Sequence, residues 1–127
     1  MRESAILIVD DVADIVAEMI SMFALVGVPA FGADSVQEAL CMLRREPSIR
    51  AVICDLHLQH EDGRTLLALV RKDPDLADRP LNVIFITGDS DVEILCAQAP
   101  PVTIVRKPID PDMVIEHVRR CLGMQQS

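Results

Sequence analysis

The chain has no tryptophan and no tyrosine, so intrinsic fluorescence offers no reporter of its state. Basic residues are in deficit: 12 Lys and Arg stand against 20 Asp and Glu, a formal net charge of -8. That balance repels phosphate backbones and anionic lipid, which argues against nucleic acid and membrane surfaces as partners and leaves partners with basic patches. No export signal is visible, because the first apolar run, Ala5 to Val9, meets Asp10 and Asp11 at once. The longest uncharged stretch, between Glu18 and Asp34, is broken by Gly27 and Pro29 and is too short for a spanning helix. Cys41, Cys54, Cys96 and Cys121 form no C-x-x-C pair and lack the close ligand spacing of a zinc site. Set among apolar neighbours, they read as buried small hydrophobes in a reducing, cytoplasmic setting. Internal repeats, low-complexity tracts and linkers are also lacking.

What is present suits one domain over residues 1–127: half of the chain is apolar, enough for a sizeable core. Ala5 to Val9 is a continuous apolar run, the pattern of a strand buried on both faces. Asp14 to Val26 predicts a helix with Ile15, Met19, Met22 and Val26 on its inner face and Gly27 as its stop. A weaker strand follows over Val28 to Gly32, then a helix over Ser35 to Arg45 opened by the capping box of Ser35 and Glu38. Ala51 to Cys54 predicts a strand with Asp55 at its end, and Asp62 or Gly63 to Arg71 a helix burying Leu66, Leu67 and Val70. After a polar connector, Lys72 to Pro80, come the strand Asn82 to Ile86 and a short helix opened by Ser90 and Glu93 and ending near Ala99. Val102 to Val105 is the last strand; Asp110 caps the last helix with Pro111 at its first position, and Gly123 ends it. Five strands alternating with five helices predict an α/β domain: a flavodoxin-like, doubly wound (βα)5 fold whose five-stranded parallel sheet runs in the order 2-1-3-4-5.

Ligands of such sheets bind at the C-terminal strand ends. Asp10 and Asp11 follow the first strand and Asp55 the third, and the expected order makes these strands neighbours. Each Asp alone could simply cap a helix. Three together repel one another and call for a hard divalent cation, Mg2+ being the abundant candidate. Thr87 after the fourth strand and Lys107 after the fifth add a hydroxyl and an ammonium, both donors to anionic oxygen. Carboxylates, metal, hydroxyl and lysine in one place suit phosphoryl transfer.

These residues carry a resemblance. Ile-Leu-Ile-Val-Asp10-Asp11, Val-Ile-Cys-Asp55-Leu with Asp62-Gly63 downstream, Ile-Phe-Ile-Thr87-Gly88 and Arg-Lys107-Pro108 occur in order at four strand ends. Over essentially its whole length the chain resembles the response-regulator receiver domains of two-component signalling. The resemblance implies that Asp55 accepts a phosphoryl group from a phosphohistidine on a histidine kinase or histidine phosphotransfer protein. It implies that Asp11 binds Mg2+ directly, Asp10 through a water, and that Asp55 and the backbone carbonyl of His57 are further ligands. Lys107 would contact a phosphoryl oxygen and pair with Asp55 beforehand, and Thr87 would swing inward to the phosphoryl group. Gly63 would supply a turn that a side chain hinders, Gly88 would leave room for the phosphoryl group, and the Lys107-Pro108 peptide would be cis. The output would be a downstream protein meeting the face of the fourth helix, fifth strand and fifth helix. Such a domain is a phosphoacceptor that assists its own phosphorylation and dephosphorylation rather than an enzyme.

The chain departs from the family pattern in four places. Ile104 stands where an aromatic is usual and would fill or vacate the space left by Thr87 with less surface change. Gln59 stands where Pro is usual, four residues after Asp55, which predicts a more mobile loop. The segment with Pro100 and Pro101 is slightly short. His57 and Asp89, two residues after Asp55 and Thr87, are ionisable and could pair across the mouth of the site to alter phosphoryl lifetime; two solvated loop side chains are the plainer alternative. His60 and His117 read as ordinary surface histidines. A haloacid-dehalogenase-like phosphatase needs an Asp two residues after Asp10, where Val12 stands; a nicotinamide site needs a G-x-G-x-x-G that is missing; and a flavin phosphate would be repelled by Asp10, Asp11 and Asp14. The remaining alternatives are a receiver-like binding module independent of phosphorylation and a phosphate sink. Four residues follow Gly123, consistent with either a stand-alone regulator or a segment of a larger protein. Oligomeric state stays open, because apolar residues of the last helix suit a core or an interface.

Overall fold

A computed structural model describes residues 4–59, 61–88, 103–107 and 109–123. The chain runs β1 (Ala5–Val9), α1 (Ala13–Leu25), β2 (Ala30–Ala33), α2 (Val36–Arg45), β3 (Ile49–Asp55), β4 (His57–Leu58), β5 (Glu61–Asp62), α3 (Arg64–Lys72), β6 (Asn82–Thr87), β7 (Thr103–Arg106) and α4 (Pro111–Cys121). Five strands form one parallel sheet in the order β2-β1-β3-β6-β7, the doubly wound order expected from the alternating pattern. The helix expected between Ser90 and Ala99 lies outside the described residues.

The continuous apolar runs are explained by two cores, one on each face of the sheet. Ala5, Leu7 and Val9 of β1 join Val52 and Cys54 of β3 and Phe85 of β6 on one face, packed by α2 and α3. Ile6 and Ile8, with Ala51, Ile53, Ile84 and Ile86, turn to the other face under α1 and α4. Successive strand side chains point to opposite faces, so a central strand covered on both sides needs an apolar residue at every position.

Local chemistry sets the helix ends. The Ser35 hydroxyl accepts the Glu38 N–H at 3.1 Å, and the Asp110 carboxylate accepts the Asp112 N–H at 3.0 Å with Pro111 opening α4. Gly27 follows α1 at φ 79°, a left-handed conformation that costs a glycine little.

The structure corrects the sequence reading at several points. The inner face of α1 centres on the buried Met19 and Phe23, with Val16, Ile20, Met22 and Val26 packed beside them; of the four residues expected there only Ile15 is exposed, and Phe23 was not expected. Cys41 is exposed and Cys121 only half-buried; Cys54 alone of the described cysteines is buried. Cys41 lies two residues from each of the buried Ala39 and Leu43, which turns it away from the core. The second strand begins at Ala30 rather than Val28, although Val28 is buried. The connector Lys72 to Pro80 is structural: Leu76 is buried, and the Arg79 guanidinium donates to the carbonyls of Leu43, Glu46 and Ile49, closing the C-terminal end of α2. A further element, the two-stranded antiparallel ribbon β4–β5, was not expected and bears directly on the site.

Candidate phosphoryl-transfer site

Parallel register brings the strand ends level. Val9 lies beside Cys54, Asp55 beside Ile86, and Thr87 beside Arg106. Residues that follow these positions, Asp10, Asp11 and Lys107, therefore gather at one end of the sheet. Among the described residues, the buried polar or charged ones are Asp10, Asp55 and Thr87, and all three sit here. Burying such groups is costly without partners, so their concentration at one end marks the part of the fold that stability alone does not account for.

The backbone positions each carboxylate. Asp10 Oδ1 accepts the Val12 N–H at 2.9 Å, Asp55 Oδ1 accepts the His57 N–H at 2.9 Å, and Asp11 Oδ2 accepts the Gln59 N–H at 2.7 Å. The other oxygen of Asp55, Oδ2, receives the Lys107 ammonium at 3.3 Å. Lys107 is aimed by its own backbone N–H, which donates to the Thr87 carbonyl at 2.9 Å. Burial holds the Asp10 carboxyl above the usual carboxylate range; the Val12 amide opposes this, and the charges of Asp55 and Asp11 add to it.

The donor set suits a hard cation. The three carboxylates supply oxygen ligands, and their mutual repulsion at Asp10 is the condition a divalent ion relieves. Among the described residues no three His, Cys, Asp or Glu side chains close around a single point.

Gly63 earns its place by close approach rather than by an unusual φ. A Cβ there would stand 2.4 Å from the Asp55 carbonyl oxygen and 3.1 Å from Cys54 Sγ, while φ is an ordinary -57°. At Gly88 a Cβ would only reach ordinary contact with the Lys107 side chain, at 3.7 Å. Thr87 is wholly buried. Ile104 lies beside Phe85 and packs against its core cluster. The His57 side chain is exposed while its backbone pairs with Asp62 in the ribbon. Asp89, His60 and Pro108 fall outside the described residues, and with them the His57–Asp89 pair and the expected cis peptide.

The loop after Asp55, expected to be loose, is anchored. β4 and β5 pair His57 with Asp62 and Leu58 with Glu61; the Gly63 N–H donates to the Leu56 carbonyl at 2.8 Å, and Glu61 Oε2 accepts the Val36 N–H at 2.7 Å. Glu61 is a functional candidate that the sequence did not single out, and Gln59, expected only to make the loop more mobile, is a second through its backbone N–H. The available signal was Gln59 itself, since a residue other than Pro restores a backbone donor. Beside the carboxylates an apolar groove of about 420 Å3 is lined by Ile15, Met19, Met22, Ile86, Ile109 and Pro111, with Asp10 and Lys107 also on its wall. No described helix is long and apolar enough to cross a membrane.

Residues 6–119 match the family described as response regulator receiver domain. Among solved structures, a response regulator receiver protein from Pseudomonas putida is 30% identical with a TM-score of 0.83, over 94% of this chain and 98% of that one. A putative response regulator from Chloroflexus aurantiacus is 31% identical with a TM-score of 0.78, over 96% and 99% of the two chains. A sensor protein from Polaromonas sp. is 26% identical with a TM-score of 0.81, over 96% and 98%. No curated protein matches the chain by sequence.

Proposed function

We infer the function from family membership: this chain belongs to the response regulator receiver domain family of two-component signalling. We propose that Asp55 is its phosphoacceptor. One observation carries the reading: the buried Asp55 carboxylate has the Lys107 ammonium on one oxygen and a backbone N–H on the other, with Asp10 and Thr87 buried alongside. An Asp55 oxygen attacks the phosphorus of a phosphohistidine in line; the P–N bond breaks, and the imidazole leaves with the electron pair and takes a proton. Lys107 follows the charge onto a phosphoryl oxygen. Asp10, Asp11, Asp55 and the His57 carbonyl are the residues that would hold Mg2+, which when bound neutralises charge on the transferring group.

The donor is a histidine kinase or histidine phosphotransfer protein, and the apolar groove between α1 and α4 offers its helices a surface beside Asp55. Phosphorylation draws the Thr87 hydroxyl onto the new anion and shifts the equilibrium of the surface around β7 and α4, where a downstream protein binds. Ile104, standing where an aromatic is usual, fills or vacates the space left by Thr87 with less surface change.

Intact mass after incubation with a small phosphodonor tests this. A phosphoryl adduct is expected on the wild type with Mg2+, and none on Asp55→Asn or without Mg2+. Failure of the wild type with both the small donor and a phosphorylated cognate kinase would favour a phosphorylation-independent binding module. A stable adduct with no downstream partner engaged would favour a phosphate sink.

A further inference from the structure

We propose that Gln59 and Glu61 form a clamp that positions the Asp11 carboxylate for its cation; the proposal rests on the metal reading above. The Gln59 N–H donates to Asp11 Oδ2 at 2.7 Å across 48 residues of sequence. It fixes the orientation of the Asp11 carboxylate through one of its two oxygens. A proline at this position, the residue usual in the resembling family, has no N–H and could not make this bond. The substitution that predicted a looser loop therefore gives it a direct hold on a candidate ligand.

A hold of this kind needs a fixed anchor behind it, and Glu61 supplies one. Its Oε2 accepts the Val36 N–H at 2.7 Å, at the first residue of α2. The helix N-terminus favours a carboxylate there, and the Ser35 hydroxyl already occupies a neighbouring donor, the Glu38 N–H. Glu61 pairs with Leu58 in the β4–β5 ribbon, and Gln59 follows Leu58 directly in the chain. The ribbon tip is thus fastened on one side to the carboxylate after β1 and on the other to α2. Hydrogen bonds to a ligating carboxylate fix its orientation, and their loss typically weakens metal binding.

Calorimetric Mg2+ titration separates the possibilities. Gln59→Pro deletes the donor, whereas Gln59→Ala keeps it and removes only the side chain. We expect Gln59→Pro to bind Mg2+ about tenfold more weakly and Gln59→Ala to match the wild type. Amide exchange in the metal-free protein gives a second readout that does not depend on folding a proline variant. The Gln59 and Val36 amides should be protected in the wild type; both should exchange faster in Glu61→Ala, with Glu61→Gln largely restoring them. Equal or tighter Mg2+ binding by Gln59→Pro overturns the clamp while leaving the metal site standing. An unprotected Gln59 amide in the wild type also overturns it. Absence of Mg2+ binding by the wild type removes the metal reading and the clamp together.

Discussion

Lys107 Nζ stands 3.3 Å from Asp55 Oδ2, although 52 residues separate them in sequence. The bond from the Lys107 N–H to the Thr87 carbonyl continues the β6–β7 ladder by one residue and carries the ammonium over the carboxylate. The pair is half exposed on the lysine side, so its role lies in charge placement more than in stability. Lys107→Ala should slow phosphorylation of Asp55 by a small donor roughly 100-fold, by analogy with loss of one transition-state donor. A time course of adduct mass measures this; an unchanged rate would remove Lys107 from the chemistry.

Gly63→Ala should destabilise the domain by about 2 kcal/mol or more, because the new Cβ meets the Asp55 carbonyl, a backbone atom that cannot swing aside. The backbone at φ -57° suits alanine, so the loss would be steric alone. Urea unfolding followed by circular dichroism gives the number. Adduct formation on the folded fraction should fall as well, since the clash displaces Asp55.

Asp62 provides a pH-dependent test of the ribbon. The Arg64 side chain holds its carboxyl below the usual range, helped by the Arg64 N–H on Oδ1 at 2.8 Å. A depressed folded pKa means that the unfolded chain takes up the proton first. The contribution is therefore present above the ordinary Asp value of 3.8 and lost as pH falls through the lower folded value. Asp62→Ala should cost about 1 kcal/mol at neutral pH, the scale of a lost helix cap, and progressively less in acid. Melting curves of both proteins between neutral pH and pH ~3 would check the convergence that this linkage requires.

The cysteines should label in a fixed order. Among the described cysteines Cys41 is exposed and reacts first. Burial, reinforced by the charges of Asp55 and Asp10, pushes the Cys54 thiol up to about 12, so it should stay unreactive at pH 8 until the domain unfolds. Mass spectrometry of alkylated peptides with and without urea reads both. Early labelling of Cys54 would mean that the β3 end opens locally.

Much of this protein was legible in the order of its residues. Apolar runs such as Ala5 to Val9 announce strands covered on both faces, because a two-sided environment demands an apolar residue at every step. The acidic pair, Asp55, Thr87 and Lys107 could be placed together once the parallel order was read, since strand ends in such a sheet are neighbours by topology. The helical face of α1 was legible in Met19, Met22 and Val26, but Ile15 is exposed and Phe23 buried: spacing of three and four admits overlapping stripes, and only packing against the cluster of Ile6, Ile8 and Ile53 selects between them. The β4–β5 ribbon was illegible for a different reason. It contains two residues per strand, too few for a pattern, and its ties run to Asp11 and Val36, far away in sequence. Residue types and their order thus determined the sheet and the candidate chemistry. Backbone donors such as the Gln59 and His57 amides carry no side-chain signature, so only the tertiary structure decided which carboxylate each one holds.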